Sequence, residues 1–253
     1  MHPDGPGNPV KNVLRRGRRF LHECLGREVR DPRGSHHTCV HLGTEYGGWW
    51  VIPNLVPENA CVFSIGIGQD ISFDLGMIKR FNSTIYGFDP TPVAMDWISR
   101  QQLPPQFHFI PVGLAHYDGE ADFGLNRPDW ESYSVRLPTE KSVHRAMCRV
   151  ARFVTLAREA GVSKVDILKV DIEGSEYDAI PDVLKSGFTF SQFLLELHYG
   201  TGVKAELTEA RNLLRLIEDH GYRLFKRSAT GREFCFVHSS ALAGAASSNR
   251  EPS

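Results

Sequence analysis

Seven short β-rich runs, separated from residue 60 onward by stretches of helical period, constrain this chain more than any other feature. They fall at 61–65, 84–88, 107–112, 165–170, 193–198, 222–226 and 233–238. Short apolar strands alternating with helices form a parallel sheet covered on both faces, because each crossover lays a helix against the sheet. Thr91 followed by Pro92 marks a helix start, where proline's missing N–H costs nothing, and Gly161 and Gly221 stand where helices end in a left-handed residue. Leu207, Ala210, Leu213, Leu214 and Ile217 give the last long helix one apolar face. A short connection around Ser228, Ala229, Thr230 and Gly231 joins the final two runs, too brief for a crossover helix, so that pair should be antiparallel. The expected fold is α/β: a doubly wound, mostly parallel seven-stranded sheet with a C-terminal antiparallel hairpin.

A chain of 253 residues suits one elaborated domain, expected over 39–240, after a tail and docking helix over 1–38 and before a flexible tail over 241–253. The docking helix is read from Val10, Val13, Leu14, Leu21, Cys24 and Leu25 at helical spacing. Arg15, Arg16, Arg18 and Arg19 occupy its other faces; a membrane or an acidic substrate would suit them, but a solvated face is the blander reading and no function is assigned. With 29 basic against 30 acidic residues there is no global field to grip a phosphate backbone, and no nucleic-acid partner is expected. Nowhere do about 18 apolar residues run together, and the first thirty lack a secretory leader's apolar core. No integral membrane segment is expected, and the cytoplasm is the expected location. Five scattered cysteines without a CxxC pair indicate neither a disulfide framework nor a zinc site.

The first run is followed by Ser64, Ile65, Gly66, Ile67, Gly68, Gln69 and Asp70, then by helical spacing. In doubly wound sheets ligands bind beyond the carboxyl ends of the strands, and glycine there lets the backbone approach them closely. The second run ends in Phe88, Asp89 and Pro90, which places a carboxylate 23 residues after Gly66, near the spacing at which an acid reaches ribose hydroxyls. A dinucleotide would want a third glycine where Ile71 stands, and Asp70 would oppose its pyrophosphate. S-adenosylmethionine has no phosphate and carries a cationic sulfonium and an ammonium, so the acid favours it as the cofactor. A purely steric use of glycine is the competing explanation of the turn.

The segment from Asp166 to Glu176 is richer in chemistry. In an extended chain Ile167, Lys169 and Asp171 share one face, so Asp171 emerges at the strand's carboxyl end with Glu173 and Glu176 close behind. Helix capping is the bland role for such acids, above all for Glu176. The fifth run ends at His198, whose imidazole is suited to proton transfer near neutral pH, with Glu196 on the same face to orient it.

The run Asp166, Ile167, Leu168, Lys169, Val170, Asp171, Ile172, Glu173, Gly174, Ser175, Glu176 resembles the D-x-L-K-x-D-x-E-G-x-E signature of the FkbM family of class I, S-adenosylmethionine-dependent methyltransferases. Glu196 to His198, Phe88 to Pro90, the Asp118-Gly119 turn and Gly221-Tyr222 support the likeness, which covers Cys39 to His238. With Tyr46, Gly47, Gly48, Trp49 and Trp50, they are similar to the branch related to animal methyltransferase-like proteins. The family's first motif usually begins with aspartate and has a third glycine, where this chain has Ser64 and Asp70. This departure implies that Asp70 takes the cofactor's ammonium.

On that resemblance Ser64, Gly66, Ile67, Gly68 and Asp70 surround the methionine part, Asp89 with Pro90 holds the ribose, and Gly113 and Leu114 flank the adenine. Tyr46, Trp49, Trp50 and Tyr133 wall the acceptor pocket, with core packing the alternative role for these rings. Asp171 also touches the cofactor, and His198 or Asp171 is the base, with Glu173 beside them. A divalent ion on Asp171, Glu173 and His198 stays open, since no close ligand spacing marks one. The resemblance implies O-methylation of a sugar, polyketide or related small molecule. A nicotinamide-dependent oxidoreductase and a non-catalytic binding module are the rival classes, and a homo-oligomer stays open.

Overall fold

The first apolar period of the chain does not do what its spacing suggests. In a computed structural model describing residues 9–32, 34–125, 144–199 and 204–248, helix α1 (Pro9–Cys24) leaves Val13, Leu14, Phe20 and Leu21 exposed. It attaches through polar groups: Arg19 Nη1 donates to the Ser228 carbonyl at 2.6 Å and Arg19 Nε pairs with Glu23 Oε1 at 3.2 Å. The expected docking by the apolar stripe is therefore corrected.

Downstream of α1, β1 (Val40–Leu42) pairs antiparallel with β2 (Trp49–Val51) as a small separate sheet. Then β3 (Cys61–Ile65), α2 (Ser72–Phe81), β4 (Thr84–Phe88), α3 (Pro92–Ile98) and β5 (Phe107–Ile110) form the first half of the wound sheet. Thr91 caps α3 by accepting the Ala94 N–H at 3.3 Å, with Pro92 in the first turn. A second sheet intervenes, in the order β6, β8, β7, from β6 (Gly113–Leu114), β7 (Gly119–Leu125) and β8 (His144–Ala151). In β8 the buried Cys148 and Val150 alternate with the exposed Arg145, Met147 and Arg149, and the sequence reading has no counterpart for this sheet.

The second half runs through α4 (Phe153–Glu159), β9 (Ile167–Val170), α5 (Glu176–Leu184), β10 (Gln192–Glu196), α6 (Lys204–Asp219), β11 (Tyr222–Arg227) and β12 (Glu233–His238). Gly161 and Gly221 have φ of 70° and 88°, the left-handed values that favour glycine after a helix. The chain's last helix, α7 (Ser239–Ser248), occupies the place where a flexible tail was expected; Ala241 and Leu242 pack against the core, which gives it a reason to order.

The main sheet has the order β11, β12, β10, β9, β3, β4, β5. Strands β3, β4, β5, β9 and β10 are mutually parallel, and β12 is antiparallel to both β10 and β11, as the short hairpin connection requires. Both faces are buried. Phe63, Phe88, Leu168, Val170, Phe193 and Leu195 pack one face under α4, α5 and α6, while Val62, Ile85, Ile167 and Leu194 pack the other with Phe73 and Met77 of α2. Strand order reverses between β3 and β9, and at such a switch point the two loops diverge and open a crevice.

The region ahead of the sheet is part of the packing. Val29 is 0% exposed within the larger core. Beside it the buried Arg227 guanidinium donates to Asp31 Oδ1 at 2.6 Å, Glu23 Oε1 at 3.1 Å, the Tyr199 hydroxyl at 3.1 Å and the Gly231 carbonyl at 2.9 Å. Burial opposes the charge on Arg227, and Tyr199, Asp31 and Glu28 outweigh that opposition.

Candidate functional site

The crevice is built on a turn that only glycine allows. Gly66 has φ 75°, its N–H donates to the Phe88 carbonyl at 2.8 Å, and a Cβ placed on it would lie 1.6 Å from the Asp171 carbonyl oxygen. Two strand ends are therefore closer than any side chain permits. Gly68, at φ 51°, faces open space, so its missing side chain leaves room for a ligand. Below the turn the ammonium of the buried Lys169 donates to the Gly66 carbonyl at 2.7 Å. Asp74 lies deeper still, and burial pushes it up to about 6 against the pull of Lys169.

Asp89, 6% exposed, closes the next strand end. Its Oδ2 accepts the Gly68 N–H at 3.0 Å, while Oδ1 accepts the Thr91 N–H at 2.9 Å and hydroxyl at 2.6 Å. Burial raises its pKa, against the hydrogen bonds from Thr91 and Gly68 that favour the carboxylate. Oδ1 is thereby filled, and the one lone pair left, on Oδ2, is free to accept from a hydroxyl.

Asp70 works differently from expectation. Its Oδ2 accepts the Thr44 hydroxyl at 2.6 Å and its Oδ1 the Ser72 N–H at 2.7 Å. Thr44 Oγ1 in turn accepts the N–H groups of Tyr46 and Gly47 at 3.2 and 3.0 Å. Asp70 thus clasps the segment before β2 onto the start of α2 and sets Tyr46, Gly47, Gly48 and Trp49 into the crevice wall. It still lines the crevice beside Gly68.

The cavity measures about 280 Å³ and is lined by Ile65 to Asp70, Phe88 to Thr91, Gly113, Leu114, Asp171, Ile172 and Glu173, among others. It brings together most of the residues singled out from the sequence. Ser64 is not among them: it is fully buried inside β3, on the opposite side of the strand end. Trp50 is also elsewhere, edge-on to His41 at 4.6 Å with Lys226 over its ring, because alternation along β2 sends Trp49 inward instead. Tyr133 lies outside the described residues. Lys169, Thr91, Phe123 and Glu233 join the lining unannounced. Lys169 was readable from the same alternation that placed Asp171; Glu233 needed knowledge that β12 inserts beside β10.

Behind the carboxylates stands His198. Its Nε2 lies 3.4 Å from Glu173, 3.8 Å from Glu196 and 3.9 Å from Asp171, and its Nδ1 meets Glu176 Oε1 at 2.9 Å. The residue that orients it is thus Glu176, fully buried and also accepting the Gly174 N–H at 3.1 Å, and not Glu196. Burial disfavours charge on His198, but the Glu176 hydrogen bond and charge, then Asp171 and Glu196, hold its pKa well above the usual histidine value. These interactions favour its protonated form and so weigh against a role as base. Burial, then Asp171 and Glu233, push Glu196 well above the usual carboxylate range. One atom each from Asp171, Glu196 and His198 lie within 4.8 Å of one another; these three could hold a divalent ion only in place of the His198 proton.

Solved structures of similar fold include TrmK of M. capricolum with S-adenosyl-homocysteine, at 10% identity and TM-score 0.39, covering 73% of this chain and 63% of that one. The chain therefore spans less than two thirds of the TrmK chain. Others are Aeropyrum pernix fibrillarin with natively bound S-adenosyl-L-methionine, at 13% identity, TM-score 0.41 and coverage of 81% and 84%, and M. jannaschii TYW2 with AdoMet, at 11%, 0.34, 81% and 88%. Likeness at that level bears on neither substrate nor mechanism. No curated protein matches the sequence. The family model of the methyltransferase FkbM domain, however, matches residues 52–224, from just after β2 into β11 and so over more than half of the chain, and the protein belongs to the FkbM methyltransferase family.

Proposed function

We propose that this protein transfers the methyl group of S-adenosylmethionine to a hydroxyl oxygen of a small polar acceptor such as a sugar or polyketide. One observation carries the choice of cofactor: among the described residues the crevice lining holds the acids Asp70, Asp89, Asp171, Glu173 and Glu233, with Glu196 pushed toward its neutral form by burial, against the single cation Lys169. Such a field attracts a sulfonium and an ammonium and repels the phosphates of a nicotinamide dinucleotide. When bound, the cofactor supplies an electrophilic methyl whose carbon–sulfur bond breaks as the oxygen–carbon bond forms, leaving S-adenosylhomocysteine.

The chain's residues do the rest. Asp89 holds the ribose, Gly66 and Gly68 admit the methionine part, and Gly113 with Leu114 borders the adenine. The walls exclude water and align the acceptor, which supplies much of the rate of an in-line displacement. Asp171 takes the acceptor's proton: its Oδ1 is buried and has no hydrogen-bond partner among the described residues. His198, kept charged by Glu176, holds Asp171, Glu173 and Glu196 in register as a positioning residue.

Calorimetric titration with S-adenosylhomocysteine is expected to show micromolar binding, and a parallel titration with NADH none. Binding of NADH alone would favour the oxidoreductase reading, and binding of neither a non-catalytic module.

Glu176→Gln tests the role of His198. In the wild type the alkaline limb of kcat, where His198 loses its proton, is expected well above pH 6.5, and the variant should move it downward. The stability sign follows the same linkage. A folded-state pKa above the unfolded value contributes stability that is complete below about pH 6.5 and is lost as pH rises through the folded value. Thermal melts of wild type and variant should therefore differ most in acid and converge in alkali. A pH-independent gap with an unmoved limb would remove His198 from this role.

A further inference from the structure

Helix α1 is mounted with its polar side inward. Asn12, Arg19 and Glu23 share one side at spacings of seven and four, and it is Arg19 and Glu23 that bond to Ser228 and Arg227. Val13, Leu14, Gly17, Phe20, Leu21 and Cys24 fall on the opposite side. There Val13 and Leu14 are each 68% exposed, Phe20 67% and Leu21 57%, followed just beyond the helix by Leu25 at 57%. A helix of a protein that meets only water turns its apolar stripe the other way.

The rims of this strip are basic. Arg16 borders it on the Phe20 side and Arg18 on the Leu14 side, with Arg15 next to Arg18, and all three are exposed. Residues 11–30 hold seven basic against two acidic residues, in a chain whose net charge is -1. The one acid of the helix, Glu23, faces inward and is already paired.

We propose that α1 is a membrane-docking helix that lies in the plane of an anionic lipid surface. Val13, Leu14, Phe20 and Leu21 enter the acyl boundary, and Arg15, Arg16 and Arg18 meet the headgroup phosphates, for which the guanidinium fork is well matched. Sixteen residues reach about 24 Å along the helix axis, and no helix among the described residues is long and apolar enough to cross a membrane, so the helix lies on the surface. Charge decides between lipid and a second copy of the chain: pairing two such strips would bring arginine rims together with no acid on either, whereas anionic headgroups neutralise both rims at once. Arg19 is withdrawn from the strip and anchors the helix to the turn between β11 and β12, two strands of which the second begins with the crevice-lining Glu233. Docking would bring that end of the crevice toward the lipid.

The test is flotation of the full chain with vesicles of phosphatidylcholine containing about one third phosphatidylserine, and with phosphatidylcholine alone, at low and high salt. Binding to the anionic vesicles at low salt and its loss at high salt are expected. A Phe20→Ser, Leu21→Ser double variant should lower the partition coefficient on the order of a hundred-fold, and Arg15→Glu with Arg18→Glu should remove the preference for phosphatidylserine. All these side chains protrude into solvent, so an unchanged thermal melt is expected and confirms that the variants fold. Failure of the wild type to float with anionic vesicles, wild-type binding by the Phe20, Leu21 variant, or equal binding to neutral vesicles would each overturn the proposal. Sedimentation showing a dimer that the Phe20, Leu21 variant dissolves, without vesicle binding, would assign the strip to a second copy instead.

Discussion

Gly66→Ala is expected to abolish binding of S-adenosylhomocysteine and to destabilise the fold by roughly 3 kcal/mol or more. Two penalties combine. A φ of 75° costs an alanine about 1 kcal/mol. The larger penalty is steric: the added Cβ would sit 1.6 Å from the Asp171 carbonyl oxygen, a backbone atom that no rotamer change can move aside. Relief requires β3 and β9 to part at Ile65 and Val170, breaking the bond from the Asp171 N–H to the Ile65 carbonyl at 3.0 Å and shifting Asp171 itself. Gly68→Ala provides the contrast, since its Cβ would meet nothing within 4 Å. That variant should fold almost normally and lose affinity because the methyl projects into ligand space. Denaturant melts and calorimetry on the pair would separate the effects; a Gly66→Ala protein as stable as the Gly68→Ala one would contradict the close approach of the two strand ends.

Asp89→Ala should weaken S-adenosylhomocysteine binding by about a hundred-fold or more. A hydrogen bond to a charged group contributes about 1.5–3 kcal/mol, and Oδ2 has one lone pair to offer a ribose hydroxyl. The substitution also frees the Gly68 N–H and both Thr91 donors, so the turn loses its tie to the next strand. Asp89→Asn keeps one acceptor and should fall between the two. Calorimetry gives the affinities, and circular dichroism below the melt separates lost binding from lost fold. Undiminished affinity in a folded Asp89→Ala protein would remove the ribose assignment and, with it, the cofactor reading.

The parts of the fold that were legible share one physical cause. Parallel strands buried on both faces must be continuously apolar, and β3 and β4 lie where the runs at 61–65 and 84–88 place them. Tight connections were equally readable, as the five residues between β11 and β12 show. Tertiary decisions were not. The sheet of β6, β7 and β8 pairs β6 with β8 out of sequence order, skipping β7. The helical period of α1 predicted the helix and its amphipathicity, yet not which side would face the protein, because the hydrogen bond of Arg19 to the Ser228 carbonyl and the ion pair of Glu23 with Arg227, in a hairpin over 200 residues away, decide that.

The site divides along the same line. Gly66, Asp89 and Asp171 were legible because strand ends are fixed by the alternation that defines the strands. The mistaken placements of Ser64 and Trp50 came from reading neighbours in sequence as neighbours in space, although successive side chains of a strand face opposite ways. The pairing of His198 with Glu176 lay beyond sequence reasoning, since it depends on the first turn of α5 packing over the end of β10. That one contact favours the charged form of a candidate base.

The Arg227 cluster makes the recognisable family region different from the unit that folds. The family match begins at residue 52, yet Glu23, Glu28 and Asp31 supply the countercharges for a guanidinium seated deep in the hairpin. A shortened chain starting at the family boundary would keep the buried cation and discard every one of those acids, an exchange that costs about 3–5 kcal/mol where a buried pair is broken from one side. Sequence kinship here is narrower than cooperativity: the segment ahead of residue 52 is the counterion reservoir of the domain's last two strands.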